Sequence, residues 1–248
     1  MLKVLSYTKT YIYYLSLPKI SKTSYMEYTM YESLLQLPLF QGMSKADLTK
    51  ILEKVRFNFL KYDNEEIILR QGEKCDKLVF LLSGTIVSRT MAPCGLFTLE
   101  ETISQPTVIE LHSLFGINTC YKATYSSQGE VALLTIDKQY VFRVLDLHMV
   151  FRINFFNLLS SKTEKLHSHL WSITPKGLEG RLAHFIRSLC NTPHGHKILY
   201  AKMDDLAALL DDTRLNVSNV LNKWQHEGHI EMRRKEYVIP DLARLKSI

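Results

Sequence analysis

The stretch that most constrains this chain is Met203 to Trp224, MDDLAALLDDTRLNVSNVLNKW. It predicts two helices joined by a sharp turn. The first runs from Asp204 to Leu210, with Leu206, Leu209 and Leu210 as its apolar stripe and Ala207 as a small residue that a second helix can approach. The turn is Asp211-Asp212-Thr213. Thr213 suits an N-cap, because its hydroxyl can accept from a backbone N–H that the first helical turn leaves unpaired. The second helix runs from Arg214 to about His226. Val217, Val220, Leu221 and Trp224 form the face that packs. Leu215, Ser218, Asn219 and Asn222 form the opposite face, which is polar with little charge, and Arg214 sits in the first turn.

Such a helix has the groups that read DNA. Arg, Asn and Ser bond to base edges in the major groove, and apolar side chains touch the thymine methyl. In helix-turn-helix proteins the N-terminal residues of the second helix reach the bases. A helical hairpin with a solvated outer face would show the same spacing, so the segment that follows decides. Ile230-Glu231-Met232 and Tyr237-Val238-Ile239 predict two short strands around Arg233-Arg234-Lys235-Glu236. A hairpin with a basic tip directly after the second helix makes a winged helix-turn-helix, whose wing lies near phosphates.

The length of 248 residues allows one large domain or two ordinary ones, and 46% hydrophobic residues can bury a real core. The net charge of +6 is unevenly spread. From Lys176 onward 12 Lys and Arg face 9 Asp and Glu, residues 1–30 hold 4 against 1, and 31–175 hold 15 against 15. A neutral body with mildly basic ends fits modest phosphate contact, not nonspecific charge binding. The cysteines at 75, 94, 120 and 190 make no zinc spacing and suggest a reducing cytosol, hence a cytoplasmic protein. The longest apolar runs, such as Leu78–Leu82, are too short to span a bilayer, so no membrane partner is expected.

Residues 1–30, rich in Tyr and Lys, form a tail to which the sequence assigns no role. The pattern then reads as a sensor domain over 31–147, a dimerisation helix over 148–173 and a DNA-binding domain over 174–248. Ser44 and Asp47 start a helix over Lys45–Val55. From Phe57 to Ile136 come short β runs, among them Glu66–Leu69, Leu78–Leu82, Thr85–Val87, Val108–Leu111 and Val131–Ile136, punctuated by glycines. That density predicts a compact β-roll or barrel. A short helix over Asp137–Leu147 precedes a long one over Met149–Ile173. In the long helix Phe156, Leu159, Thr163, Leu166, Leu170 and Ile173 follow a 3-4-3-4-3 spacing, the seam of a parallel dimer. Thr174-Pro175-Lys176-Gly177 breaks the helix as a hinge, and Leu178–Cys190 is amphipathic with Leu182, Phe185, Ile186 and Leu189 inward.

This order of elements resembles that of the Crp/Fnr family of bacterial transcription regulators. The resemblance rests on IILRQGEKCDKLVFLLSG at Ile67–Gly84, on Ser113-Leu114-Phe115-Gly116 and on the helix-turn-helix, and it covers about Glu32 to Lys246. It implies an α+β fold: an N-terminal β-roll (a double-stranded β-helix of the cyclic-nucleotide-binding type) with flanking helices, a long dimerisation helix and a C-terminal winged helix-turn-helix. It further implies a homodimer on an inverted repeat of double-stranded DNA, an effector-responsive β-roll, and RNA polymerase as a partner.

Two departures bear on the effector. Cyclic-nucleotide binders of this family hold the phosphate with an Arg-Ser pair followed by Ala, and the segment that looks equivalent here is Tyr121-Lys122-Ala123. It lacks the bidentate guanidinium, which argues against cyclic AMP, although Lys122 offers a point charge. Iron–sulfur members carry an N-terminal cysteine cluster, and residues 1–56 hold no cysteine, so no such cluster is expected. The effector is unknown, and Glu110, Leu114, Phe115, Tyr121 and Lys122 are the candidates for its pocket.

Carried over by position, Arg214, Leu215, Ser218 and Asn219 are base readers, while Thr213, Lys223, Arg233, Arg234 and Lys235 are phosphate contacts. The acidic Asp211 and Asp212 would repel phosphate if they faced DNA, which leaves a protein-interaction module as the alternative. His194-Gly195-His196, His167-x-His169 and His226-Glu227-Gly228-His229 lack a third metal ligand at workable spacing. His112 is the only histidine between Phe57 and Ile136, too few for a cupin-type metal enzyme, and no phosphate loop or nucleophile elbow appears. No enzymatic activity is expected.

Overall fold

The computed structural model describes residues 31–192 and 194–247, so the tail over 1–30 lies outside the described residues. The chain is α+β and divides into two units. Of the described residues the first takes 31–86, 104–122 and 126–164, and the second takes 87–103, 123–125 and 165–247.

In the first unit residues 31–36 are helical, and Leu34, Leu37, Leu39 and Phe40 are fully buried. Helix α1 (Lys45–Lys54) starts at Ser44, whose Oγ accepts the Asp47 N–H at 3.1 Å. Leu48 and Ile51 are its buried positions, one turn apart. Strand β1 (Asn58–Tyr62) runs antiparallel to β6 (Thr124–Asp137), from Asn58 opposite Thr135 to Tyr62 opposite Val131. Strand β2 (Ile67–Leu69) follows, and β3 (Lys77–Met91) pairs with β5 (Thr107–Ile109), Val79 standing opposite Ile109.

The sequence predicts two strands where β3 is one. Gly84 makes the difference. It adopts φ +91°, and a Cβ there would lie 2.3 Å from the Glu130 carbonyl oxygen. Only glycine holds both the backbone angle and the approach, so the strand continues instead of ending. The expected helix over Asp137–Leu147 is shorter, α2 (Lys138–Arg143) with a 3-10 turn at Leu145–Leu147.

Helix α3 (Met149–Leu170) turns Phe151 and Phe155 into the core, where the Phe151 ring lies 5.6 Å from that of Phe40. The Asn154 amide ties the helix down by donating to the Gln41 carbonyl at 2.9 Å. The helix ends at Leu170, and Ile173, expected as its last seam position, lies beyond it in irregular chain. Pro175 explains the early stop, since it disfavours helix in the residue before it and offers no N–H.

In the second unit a hairpin over 87–103 contributes β4 (Phe97–Ile103), followed by α4 (Leu178–Leu189), β7 (Lys197–Ala201), α5 (Met203–Leu209), α6 (Arg214–His226), β8 (Glu231–Arg233) and β9 (Glu236–Ile239). The strands pair antiparallel as β4–β7, β7–β9 and β9–β8. Leu182, Ile186, Leu199, Leu206, Val217, Leu221, Trp224 and Ile239 form one core beneath the helices. Among the described residues no helix is long and apolar enough to cross a membrane, and no three His, Cys, Asp or Glu stand together as a metal site.

Replacing Gly84 by Ala should lower the unfolding free energy by about 2–3 kcal/mol. Urea unfolding would show this as a lower midpoint at unchanged slope; a midpoint at the wild-type value would refute the assigned backbone constraint.

Candidate nucleic-acid interface

The helix-turn-helix is built as its sequence predicts at α6, which spans Arg214–His226. Thr213 Oγ1 accepts the Asn216 N–H at 3.2 Å and so caps it. Asp211 takes the left-handed turn position at φ +49°, which Asp tolerates better than most residues. Val217, Leu221 and Trp224 are buried. Leu209, expected in the apolar stripe of α5, is instead 37% exposed, and Leu206, Ala207 and Leu210 do the packing.

One turn of α4 grips α6 at both ends. At the start, Arg181 donates to Asp212 Oδ2 at 2.7 Å and to the Lys176 carbonyl in the hinge segment at 2.9 Å. The other Asp212 oxygen accepts the Asn216 amide and the Thr213 N–H, each at 2.8 Å. Those donors, Asn216 first, hold the Asp212 carboxyl below its ordinary value. Asp212 is therefore neutralised from within, while Asp211 stays exposed at the left-handed position. Near the far end, Glu179 receives both the Trp224 indole N–H at 2.8 Å and the Lys223 ammonium at 2.9 Å. Lys223 is the main cause that lowers the Glu179 carboxyl pKa, and partial burial opposes it.

The outer face of α6 carries Leu215 (70% exposed), Asn219 and Asn222 in solvent and Ser218 half-buried. Arg214 is exposed and pairs with Asp204 at 3.3 Å, a contact worth at most about 1 kcal/mol and easily exchanged. Lys223 starts from a stronger partner in Glu179. In the wing Arg233 lies between Glu231 and Glu236, at 3.9 and 3.4 Å, while Arg234 and Lys235 are exposed at the tip. Lys235 makes the turn at φ +61°.

Of the seam residues on α3, Phe156, Leu166 and Leu170 are exposed, and Thr163 bonds back to the Leu159 carbonyl. Leu159 packs partly against its own core. Met149 and Ile153 extend the exposed apolar line by two positions that the sequence spacing missed.

The pocket candidates are engaged with their own neighbours. Leu114 and Tyr121 belong to the core, and the Tyr121 hydroxyl is bonded to the Cys75 thiol. Phe115 packs edge-on against Phe142 at 4.8 Å. Glu110, at φ +42°, turns its carboxylate to accept from Ser113 Oγ at 2.8 Å and from the Lys122 N–H at 2.7 Å.

Residues 59–148 match the cyclic nucleotide-binding domain family, and residues 180–248 match the Crp-like helix-turn-helix domain family. No curated protein matches the chain. Among solved structures, one from Eubacterium rectale described as a transcriptional regulator of the Crp/Fnr family is 18% identical, with 85% of this chain and 96% of that one covered and a TM-score of 0.50. The Catabolite Activator Protein of Thermus thermophilus is 19% identical over 85% of this chain and 97% of its own, with a TM-score of 0.48. The sensor domain of the regulator DNR from Pseudomonas aeruginosa is 19% identical over 61% of this chain and 98% of its own, at 0.48. At these identities the likeness is one of fold.

The residues at Tyr121-Lys122-Ala123 do not fit the cyclic nucleotide that the first match implies. A bound phosphate needs donors, and here the Lys122 N–H is taken by a carboxylate that would repel it.

The Glu179 pairing has a pH signature. Its lowered folded pKa gives stability that is present above the ordinary carboxylate value and lost as pH falls through the folded one. Glu179→Gln should lower Tm by a few degrees at neutral pH and flatten the acid limb between roughly pH 5 and 3. An unchanged acid limb would remove Glu179 from the account.

Proposed function

Because this chain belongs to the Crp/Fnr family of transcription regulators, we propose that it reads DNA by sequence as a homodimer, one α6 helix to each half-site of an inverted repeat. The observation that carries this reading is the clamped recognition helix. Its packing face is sealed, its ends are fixed by Arg181 and Glu179, and its exposed face holds hydrogen-bonding groups with one mobile cation, Arg214. Arg214 exchanges Asp204 for a guanine edge, where a bidentate guanidinium fits O6 and N7. Leu215, Ser218 and Asn219 read the neighbouring positions. Arg234 and Lys235 set the register on phosphates, with Thr213, Arg233 and Lys223 as further contacts.

The dimer forms along α3. Met149, Ile153, Phe156, Leu166 and Leu170, the last 81% exposed, make a line of apolar side chains too long for a chain that stays alone in water. A signal at the β-roll near 110–125 passes along this seam and the Thr174–Gly177 hinge, and sets whether two α6 helices stand about 34 Å apart, one DNA turn. The signal is not a cyclic nucleotide held at Lys122. The protein works in the cytoplasm beside RNA polymerase and catalyses no reaction.

Arg214→Ala should cost about 1–3 kcal/mol on the matched site and relax preference at one base. Arg234→Ala should weaken all sequences alike and lower the salt slope by about one. Equal effects of the two on matched and mismatched sites would contradict the division of roles. Leu166→Glu should convert dimer to monomer in sedimentation, with loss of operator affinity; a dimer with full affinity would sink the α3 interface.

A further inference from the structure

The hairpin in the second unit carries a further role. Residues 87–103 turn back at Ala92–Phe97, where the Ala92 N–H donates to the Phe97 carbonyl at 3.0 Å. The returning strand β4 lies antiparallel along β7, from Phe97 opposite Ala201 to Glu101 opposite Lys197. At that last rung both side chains are charged and buried, Lys197 0% and Glu101 4% exposed, with Nζ 3.0 Å from the carboxylate. The remaining valences are filled. Glu101 accepts from the Asn191 N–H at 3.0 Å and the Asn191 amide at 2.7 Å, and Lys197 donates to Thr192 Oγ1 at 2.6 Å. On the next residues Tyr200 donates its hydroxyl to Glu100 at 3.0 Å, and Arg89 sits 5.1 Å from the Tyr200 ring centre. Phe97 meets Phe185 of α4 edge-on at 5.2 Å.

This ladder tolerates no other register. A slip of one residue turns every side chain to the wrong face. A slip of two sets Glu101 opposite Leu199 and Lys197 opposite Ile103, and strands both charges in an apolar interior. The far edge of β7 pairs with β9 of the wing, Tyr200 standing opposite Glu236. The hairpin is also the direct chain continuation of Lys77–Ile86, whose Leu78, Phe80 and Ile86 are buried in β3.

We propose that the hairpin Val87–Ile103 is a docking arm that holds β7, and through β7 the wing, by strand pairing independent of the Thr174–Gly177 hinge. Glu101 and Lys197 are its positioning residues and fix the register. The consequence for DNA rests on the function proposed above; the docking itself does not.

A protease recognition sequence placed between Ile173 and Thr174 in the full-length protein tests it, since both residues are exposed. After cleavage the two fragments should co-elute in gel filtration. Glu101→Lys should release the C-terminal fragment, and the charge-exchanged double variant Glu101→Lys with Lys197→Glu should retain it again. Should Glu101→Lys aggregate, Glu101→Gln and Phe97→Ala are expected to speed release by tenfold or more. Immediate separation of the cleaved wild type, or release rates untouched by these variants, would overturn the arm. In the uncut protein Glu101→Gln should weaken DNA binding several-fold with the salt slope lowered by about one, as wing contacts go, while base preference at the Arg214 position stays. Absence of any DNA binding alongside intact co-elution would count against the functional reading and leave the arm standing.

Discussion

The grip of α4 on α6 is the contact on which the interface depends. Trp224 is fully buried, and its indole N–H needs a partner there; Glu179 supplies it and takes Lys223 with the same carboxylate. Two residues on, Arg181 holds the turn before α6 through Asp212 and the hinge through the Lys176 carbonyl. A helix read by base edges must keep its angle to within a fraction of an ångström at each contact, and packing alone leaves a helix free to slide along its ridges. Charged hydrogen bonds at both ends remove that freedom. They also tie α6 to the segment before α4, through Arg181 on Asp212 and on the Lys176 carbonyl.

The same contacts shape the electrostatics. Three acids near α6 have a cation of their own: Asp212 has Arg181, Glu179 has Lys223, and Asp204 has Arg214. The surface thus presents hydrogen-bonding groups with modest net charge, in keeping with +6 over the whole chain. Affinity drawn from phosphates alone would need many more free cations. In the proposed reading such a surface gains its binding from matched bases, with Arg234 and Lys235 at the wing tip setting the register.

The helices were legible from residues alone, because Val217, Leu221 and Trp224 repeat at helical spacing and Thr213 marks the start of α6. The β-roll was legible as a class, from short β runs punctuated by glycine, but not strand by strand: nothing local says that Gly84 bends β3 where other glycines end a strand. Strand β7 was overlooked because its first residue is a lysine behind His-Gly-His, which reads as loop; only the distant Glu101 makes Lys197 a core residue. Asp212 read as a hazard for the same reason, since the cation that pairs with it, Arg181, lies 31 residues away. Ile173 looked like a seam residue because periodicity carries past the point where Pro175 stops the helix. In each case the missing term was a long-range charge pair or a backbone constraint, and neither leaves a periodic trace.

Paired, clamped α6 helices should read an inverted repeat. Selection from random-sequence DNA by the purified full-length protein at about 0.15 M salt, repeated in cell extract to supply any effector, tests it most directly. An enriched inverted repeat with half-site centres one helical turn apart is expected, with loss of preference at one position per half-site for Arg214→Ala. Enrichment of a single unrepeated site, or none in either condition, would contradict it.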